Sequence, residues 1–327
     1  MTTQARVVRF AAPGAPQVLK LETIDLADPG AGEVQLRQRA IGLNYQDVYH
    51  RSGFYPLPLP SGVGTEAAGV IEKVGSGVTD FKPGDRVVYG SGVPGAYADL
   101  RNVPADRLIA IPEGIRDDEA AAILMKGMTA EYLINRCYPL KAGEFALMYA
   151  AAGGVGLIAG QWARHLGARM IGVASGAEKC ALAAANGYAF VIDRAKENIE
   201  ARVKEITGGV GVPVVYDSIG KATFDTSIHC LAPRGYFVSF GTTTGAPPPV
   251  EAGLLQKSGS LYFTRPTLVT YCSARPDMLA SSARVFELYK AGKLKSNIGK
   301  RYGLADAVQA HIDLEAGKTT GASLLIP

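Results

Sequence analysis

Residues 145–157 read FALMYAAAGGVGL, and the fold of the chain is best inferred from this stretch outward. An apolar run of strand type, 145–150, is followed by small residues and then by a helical period over 155–166. Ala151, Gly153 and Gly156 take the three positions of a G-x-G-x-x-G turn, with alanine at the first. Small residues permit a sharp turn from a strand into a helix.

On the C-terminal side of this turn, strand and helix patterns alternate. The predicted strands are 169–174, 190–192, 214–217 and 236–240, and the predicted helices are 178–186, 195–206 and 222–231. This alternation predicts an α/β fold with a doubly wound parallel sheet of Rossmann type. Two more helices, 277–291 and 304–315, and a strand, 323–326, are predicted near the end of the chain.

On the N-terminal side, the chain up to about residue 124 has a different character. It contains short β-type runs, for example 33–41 and 68–74, separated by turn signals such as Asp28-Pro29-Gly30. This pattern predicts a β-rich domain.

Composition excludes several classes of protein. The chain has 327 residues and a net charge of +4, which is too weak to indicate nucleic-acid binding by itself. Its four cysteines are scattered, as is usual in a reducing compartment, and the beginning MTTQARVVRF has no apolar segment of signal-peptide type. The longest apolar run, 145–160, is interrupted by glycines and too short for a membrane span. We therefore expect a cytoplasmic protein without membrane association.

The glycine-rich turn indicates a dinucleotide cofactor. Backbone N–H groups at the start of the helix form the positive end of its dipole, and a pyrophosphate can bind to them there. The candidate residues are Ala152, Gly153, Gly154, Val155 and Gly156. The alternative is a tight turn without a ligand.

The second strand of the parallel sheet indicates which dinucleotide is bound. It ends Gly172-Val-Ala-Ser-Gly176, without the acidic residue that binds the ribose hydroxyls of NAD. Ser175 supplies a hydrogen-bond donor, and Lys179 and Arg194 supply positive charge for a 2′-phosphate. These residues predict NADPH, unless the two cations are only solvated surface charges.

Four segments give the chain a family resemblance. They are 150–156 (AAAGGVG), 44–47 (NYQD), 62–69 (GVGTEAAG) and 318–327 (KTTGASLLIP). With them the chain resembles the zinc-independent NADPH:quinone oxidoreductases of the medium-chain dehydrogenase/reductase superfamily, which include zeta-crystallin. The resemblance implies a GroES-like catalytic domain, 1–125 with 265–327, a Rossmann domain, 126–264, and a cleft between them for nicotinamide and substrate. It also implies a homodimer, or a tetramer, joined through the edge strand in 259–264.

The resemblance also implies contacts to the cofactor. The matching positions are Asn44, Thr129, Gly153, Val155, Ser175, Lys179, Ser218, Phe240, Gly241 and Lys318. One position departs from the family pattern, because Arg194 stands where many relatives have a tyrosine near the ribose phosphate.

Further residues are implied for the substrate side. Tyr49 and Tyr55 match family tyrosines that flank the active site, where they can donate a hydrogen bond and stack on a planar quinone. The remaining residues expected to line the site are Asn44, Asp47, Arg51, Lys126 and Thr129. Two alternatives stay open: the tyrosines are packing residues, and Asp47 and Arg51 form an i,i+4 ion pair.

No metal site is expected. Zinc members of the superfamily need a Cys or His near residue 44 and a His before Glu66, where this chain has Asn44 and Thr65. The four-cysteine lobe is absent and the four histidines lack ligand spacing. Without zinc to stabilise an alkoxide, an acceptor that is already electrophilic is favoured. We expect a quinone reductase, with reduction of conjugated C=C bonds in enones or alkenals as the alternative. An AU-rich RNA-binding or crystallin-like structural role is the alternative of another class.

Overall fold

The computed structural model describes residues 3–327, which form two compact units. The first contains the chain up to Met125 with Ala274–Phe286 and Ser296–Pro327, and the second contains Lys126–Ser273 and Glu287–Lys295. Each unit has its own sheets and its own hydrophobic core. The domain limits inferred from the sequence stay a prediction, because compactness in the folded chain does not show which segments fold independently.

Short strands dominate the chain up to residue 131. Its elements are β1 (Thr3–Phe10), β2 (Lys20–Leu26), β3 (Glu33–Leu43), α1 (Tyr45–Ser52), β4 (Ser61–Gly62), β5 (Ala67–Val74), β6 (Arg86–Tyr89), β7 (Leu100–Pro104), β8 (Ile109–Ala110) and α2 (Asp117–Glu131). A π-helical segment, Tyr132–Cys137, continues α2.

The two helices in this part correct the sequence analysis, which placed none there. Helix α1 begins where the carboxylate of Asp47 accepts a hydrogen bond from the Asn44 amide, a local capping contact. Beyond its first turn helix α2 is buried on nearly all sides, and Ala120, Ile123 and Leu124 are fully covered. A helix without a polar face lacks the 3.6-residue alternation that sequence analysis depends on.

Strands and helices alternate in the middle of the chain. The elements are β9 (Phe145–Met148), α3 (Gly154–Leu166), β10 (Arg169–Ala174), α4 (Ala177–Ala185), β11 (Phe190–Asp193), α5 (Ile199–Ile206), β12 (Val212–Asp217), α6 (Phe224–Cys230), β13 (Leu231–Ser239), α7 (Ala252–Lys257), β14 (Tyr262–Thr264) and α8 (Leu268–Tyr271). Helix α5 starts four residues later than predicted, because the Asn198 side chain accepts a hydrogen bond from the Ala201 amide and caps the helix there.

The remaining elements are α9 (Arg275–Lys290), β15 (Ile298–Gly303), α10 (Ala307–Glu315) and β16 (Ala322–Ile326). They return the chain to the first unit, where β16 pairs with β3 in an antiparallel ladder. None of the helices among residues 3–327 combines the length and apolar character needed to cross a lipid bilayer.

The sheet topology confirms the predicted fold class. The second unit holds a six-stranded sheet in the order β11-β10-β9-β12-β13-β14, and every pair in it is parallel. This is the doubly wound order whose reversal point lies between the first and fourth strands. The first unit holds a three-stranded sheet, β2-β1-β4, and a seven-stranded sheet, β15-β16-β3-β5-β6-β8 with β7 on β3.

Candidate active site

The glycine-rich turn joins β9 to α3 at the reversal point of the parallel sheet. Ala150 has a left-handed φ of 51°, and the Gly153 amide donates to its carbonyl oxygen at 2.8 Å. A methyl group on Gly156 would lie 2.7 Å from the Ala151 carbonyl oxygen and closer still to that of Ala150. Glycine is therefore required for the helix to start this near the strand.

Helix α3 offers its first amides to a ligand. Its N-cap is Gly153, which has no side chain to accept a hydrogen bond from the first turn. The predicted residues Ala152, Gly153, Gly154, Val155 and Gly156 all lie on this turn. A helix start with uncapped N–H groups and a positive dipole end fits a pyrophosphate.

The turn after β10 has an acidic neighbour that the sequence analysis missed. Ser175 and Gly176 follow β10, and Gly176 has a φ of 87°. The Gly176 amide donates to Asp193 Oδ1 at 3.0 Å, although the second strand itself carries no acid. Asp193 ends β11, the neighbouring strand, and only pairing of the two strands brings it here. The position of Asp193 at the end of a strand, directly before Arg194, was the signal in the sequence that could have pointed to this acid.

Two predicted cations lie near this turn along the chain. Lys179 is half-buried in the first turn of α4, and Arg194 is exposed. The Arg194 amide donates to the Ala174 carbonyl at 3.0 Å, which places Arg194 beside the end of β10. Ser175, Lys179 and Arg194 therefore belong to one edge of the sheet.

The ends of β12 and β13 meet through Asp217, a second acid that the sequence analysis missed. Its buried carboxylate accepts hydrogen bonds from the amides of Ile219 and Gly220, and its carbonyl accepts one from the Phe240 amide at 2.8 Å. The hydroxyls of Thr223 and Ser227 donate to Oδ2, both at 2.7 Å. Asp217 thereby holds together the segments that carry the predicted contacts Ser218, Phe240 and Gly241.

In the first unit, Asn44 is held by a fully buried carboxylate. Its side-chain Nδ2 donates to Glu66 Oε2 at 2.9 Å, while Glu66 Oε1 accepts from the Met125 amide at 2.8 Å. A methyl group on Gly42 would overlap Glu66. Glu66 was not among the predicted site residues, and it fixes Asn44 with Nδ2 inward.

Three aromatic rings surround Tyr49. Its ring centroid lies 5.3 Å from that of Tyr45, 5.2 Å from that of Phe54 and 5.2 Å from that of Tyr55. Tyr49 is 9% exposed and Phe54 is 45% exposed. Burial raises the pKa of Tyr45. The structure brings the two predicted tyrosines together and adds Tyr45 and Phe54, which the sequence analysis missed.

Asp47 and Arg51 belong to a buried network. Arg51 forms a bidentate ion pair with Glu315 of α10, at 2.5 and 3.1 Å, and its Nη1 lies 3.3 Å from His311 Nδ1. The Tyr97 hydroxyl lies 3.1 Å from His311 Nε2 and donates to Asp47 Oδ2 at 2.9 Å.

The direction of this network follows from Arg51, which can only donate. His311 Nδ1 then accepts, so Nε2 carries the proton and donates to Tyr97. Burial and then the Arg51 charge lower the pKa of His311 to about 3. Arg51 pairs with the carboxylate of Glu315 on α10, and not with Asp47 as the i,i+4 alternative supposed. Asp47 and Arg51 thus connect α1 to α10 through Tyr97, His311 and Glu315, and their expected place in a substrate site stays a prediction.

The other predicted residues are spread over both units. Lys126 is 5% exposed and lies with Thr129 on the part of α2 that belongs to the second unit. Lys318 is exposed in the turn after α10, where its amide donates to the Asp313 carbonyl. Among residues 3–327, no three His, Cys, Asp or Glu side chains are arranged to hold a metal ion. At the position where zinc members of the superfamily have a histidine, the hydroxyl Oγ1 of Thr65 lies 4.0 Å from Met125 Sδ.

Two family models match the chain. Residues 30–113 match the alcohol dehydrogenase GroES-like domain, and residues 154–283 match the zinc-binding dehydrogenase family. These matches agree with the β-rich first unit and the parallel sheet of the second.

Relatives match over nearly the whole length. The chain is 48% identical to a quinone oxidoreductase of Pseudomonas aeruginosa, covering 99% of this chain and 100% of the relative. It is 42% identical to a 2-haloacrylate reductase of a Burkholderia species, covering 96% of each. The crystal structure of Escherichia coli quinone oxidoreductase complexed with NADPH superposes with a TM-score of 0.97 at 46% identity, covering 98% of this chain and 100% of that one. The chain therefore belongs to the quinone oxidoreductase family of the medium-chain dehydrogenase/reductase superfamily.

Proposed function

We propose that this chain is an NADPH-dependent quinone reductase that works without zinc. The observation that carries the proposal is the uncapped start of α3 behind a turn that only Gly156 permits, in a chain that matches quinone oxidoreductases from end to end. A solved relative of the same fold was crystallised with NADPH. NADPH, when bound, supplies the hydride for the reaction.

The second unit would bind the cofactor along the carboxyl edge of its sheet. The amides from Gly154 to Gly156 would face the pyrophosphate, and Ser175, Lys179 and Arg194 would take the 2′-phosphate. Ser218, Phe240 and Gly241 lie farther along the same edge, held by Asp217. Thr129, Asn44 and Lys318 are the remaining proposed contacts.

The first unit would bind the acceptor. A quinone is flat and electrophilic, so the chain needs to orient it and to stabilise charge on its oxygen. The rings of Tyr49 and Tyr55 suit stacking on a planar ring, and their hydroxyls suit donation to a quinone oxygen. Asn44 uses one Nδ2 hydrogen for Glu66, and its second Nδ2 hydrogen suits donation to a ligand oxygen.

An absorbance assay at the NADPH band tests this function. The purified chain is mixed with NADPH and, in parallel, with 1,4-benzoquinone, a cyclic enone and an alkenal. We expect NADPH consumption with the quinone, and no quinone-dependent consumption would overturn the proposal.

Reduction of a conjugated C=C bond is the second candidate. The likeness to a 2-haloacrylate reductase over 96% of the chain favours it specifically. The same assay includes 2-chloroacrylate, and turnover of this substrate or the alkenal without turnover of quinone would replace the first function by the second.

We also propose that the chain forms a homodimer in the cytoplasm. Strand β14 is at the edge of the parallel sheet, and the ring of Tyr262 on it is 53% exposed and stacked on Tyr236 at 4.5 Å. An unpaired strand edge with an exposed aromatic residue suits strand pairing between two copies. Four free cysteines suit a reducing compartment. Fractionation of cells that express a tagged chain would test the location.

A further inference from the structure

Asp193 brings a carboxylate to the place where the proposed function needs a phosphate. It is the last residue of β11 and pairs with Ala174, the last residue of β10. The turn that follows β10 carries Ser175 and Gly176. The carboxylate therefore lies behind the turn that would meet the 2′-phosphate of NADPH.

One oxygen of Asp193 holds this turn. Oδ1 accepts hydrogen bonds from the Gly176 amide at 3.0 Å and from the Ala195 amide at 3.1 Å. Gly176 has a φ of 87°, a conformation that costs little only for glycine, and in it the amide is turned toward Asp193. The Gly176 amide is thus engaged by a carboxylate inside the protein and is not free to bind a phosphate.

The carboxylate is charged at neutral pH. Hydrogen bonds from the Gly176 and Ala195 amides lower the pKa of Asp193, and the nearby Lys196 and Arg194 add smaller effects in the same direction. Only 9% of Asp193 is exposed, so water screens it incompletely. Glu197 lies close as well, since its Oε1 accepts the Asp193 amide at 2.8 Å.

We propose that Asp193 is a specificity-determining residue with two opposing effects on the cofactor: its hydrogen bonds shape the Ser175–Gly176 turn for any adenine dinucleotide, and its charge weakens binding of the 2′-phosphate. Arg194 and Lys179 then offset that charge, which accounts for an arginine at position 194. The proposal rests on NADPH as the cofactor.

The two effects can be separated because both hydrogen bonds end on Oδ1. An asparagine keeps one carbonyl oxygen, which can accept both amides, and removes the charge. Asp193→Asn therefore isolates the charge, whereas Asp193→Ala removes the charge and the support of the turn together.

The experiment measures binding of two small nucleotides to the full chain by calorimetry. Adenosine 2′,5′-bisphosphate carries the 2′-phosphate and 5′-AMP lacks it, so their ratio reports this phosphate alone. For Asp193→Asn we expect the bisphosphate to bind about 3- to 10-fold more tightly at low salt, with 5′-AMP changed less than twofold. The gain should shrink only partly in about 0.5 M salt, because salt screens the charge of the mostly buried Asp193 less than it screens an exposed charge.

Asp193→Ala should weaken both nucleotides, since the turn loses its support. Melting temperatures of both variants verify that they fold. Equal changes for the two nucleotides in Asp193→Asn, or weaker bisphosphate binding, would overturn the charge effect while leaving NADPH binding intact. If the unaltered chain does not prefer the bisphosphate over 5′-AMP, the proposed NADPH dependence and this inference both fail.

Discussion

At the scale of single residues, the carboxylates of Glu66 and Asp193 act through partners that are distant in the sequence. Glu66 binds Asn44 and the Met125 amide, and Asp193 binds the Gly176 amide. The position of Asp193 at a strand end was a signal for the acid itself, but neither set of contacts can be inferred from sequence spacing, because the partners meet only in the folded chain. The cations Lys179 and Arg194, by contrast, were named from the sequence alone, since they follow strand ends at recognisable distances, and their role stays a prediction.

Lys179 is predicted to recognise the 2′-phosphate. A charge-assisted hydrogen bond contributes roughly 1.5–3 kcal/mol, so Lys179→Ala should weaken NADPH about 10- to 100-fold and NADH less than about twofold. Fluorescence titration of both cofactors measures this. Lys204→Ala, an exposed lysine on α5, is the control. Equal losses for NADPH and NADH would show that Lys179 does not contact the phosphate.

Tyr55 is predicted to act mainly through its ring. Tyr55→Phe keeps the surface that contacts Tyr49 and should change KM for benzoquinone by less than about threefold, whereas Tyr55→Ala should raise it about tenfold, because an aromatic contact contributes about 0.5–1.5 kcal/mol beyond its area. Steady-state kinetics at saturating NADPH provide the measurement. If Tyr55→Phe is as impaired as Tyr55→Ala, the hydroxyl is the active group instead.

At the scale of elements, the β9–α3 turn is the feature that sequence reasoning describes best. Its glycines, its strand and its helix are contiguous, so local rules suffice. Helices α1 and α2 show the opposite case, because one depends on a short capping contact and the other lacks a polar face. Boundaries were least certain where a cap decides them, as at Asn198.

Gly156→Ala should damage this turn. The added methyl group would press on two backbone carbonyls, which cannot move away as a flexible side chain can, and should destabilise the chain by about 1–3 kcal/mol. NADPH affinity should fall more than tenfold. Gly253→Ala in α7 is the matched control, because nothing lies within 4 Å of the added methyl. Urea unfolding and cofactor titration test both, and similar behaviour of the two variants would contradict the steric argument.

The His311 network between α1 and α10 predicts a pH dependence of stability. His311 is neutral in the folded chain, with a pKa of about 3, but in the unfolded chain its pKa is near 6.5. The unfolded chain therefore binds more protons between these values, and stability falls as pH drops from about 6.5 toward 3. Between pH 7 and pH 5 this group should remove about 2 kcal/mol from the free energy of unfolding.

Urea unfolding at the two pH values measures the effect. His311→Gln should show a smaller loss of stability between pH 7 and pH 5, even if the variant is less stable at both. His165→Gln removes an exposed imidazole and is the control. An unchanged pH slope in His311→Gln would contradict the assignment to this histidine.

At the scale of the whole molecule, the order of strands in the parallel sheet leaves β14 as an edge. Tyr262→Lys places a charge on that edge, and the charge opposes strand pairing between two copies. We expect the variant to be a monomer of 34.4 kDa, whereas the unaltered chain should have twice that mass. Light scattering after gel filtration measures the mass. Val210→Lys alters another exposed apolar residue, 65% exposed on a loop, and should stay dimeric. A dimeric Tyr262→Lys chain would place the interface elsewhere.

The sequence by itself determined the fold class, the position of the dinucleotide turn, the family and most of the candidate cofactor residues. The fold class and the turn follow from contiguous patterns, whose residues are neighbours both along the chain and in the fold, whereas the family and most of the cofactor residues were inferred from a resemblance. Tertiary structure alone decided that Asp193 lies behind the Ser175–Gly176 turn, that Glu66 holds Asn44, and that Arg51 pairs with Glu315. The physical reason is the same for all three: a buried charge must find partners, and the partners come from segments that only strand pairing and helix contacts bring near.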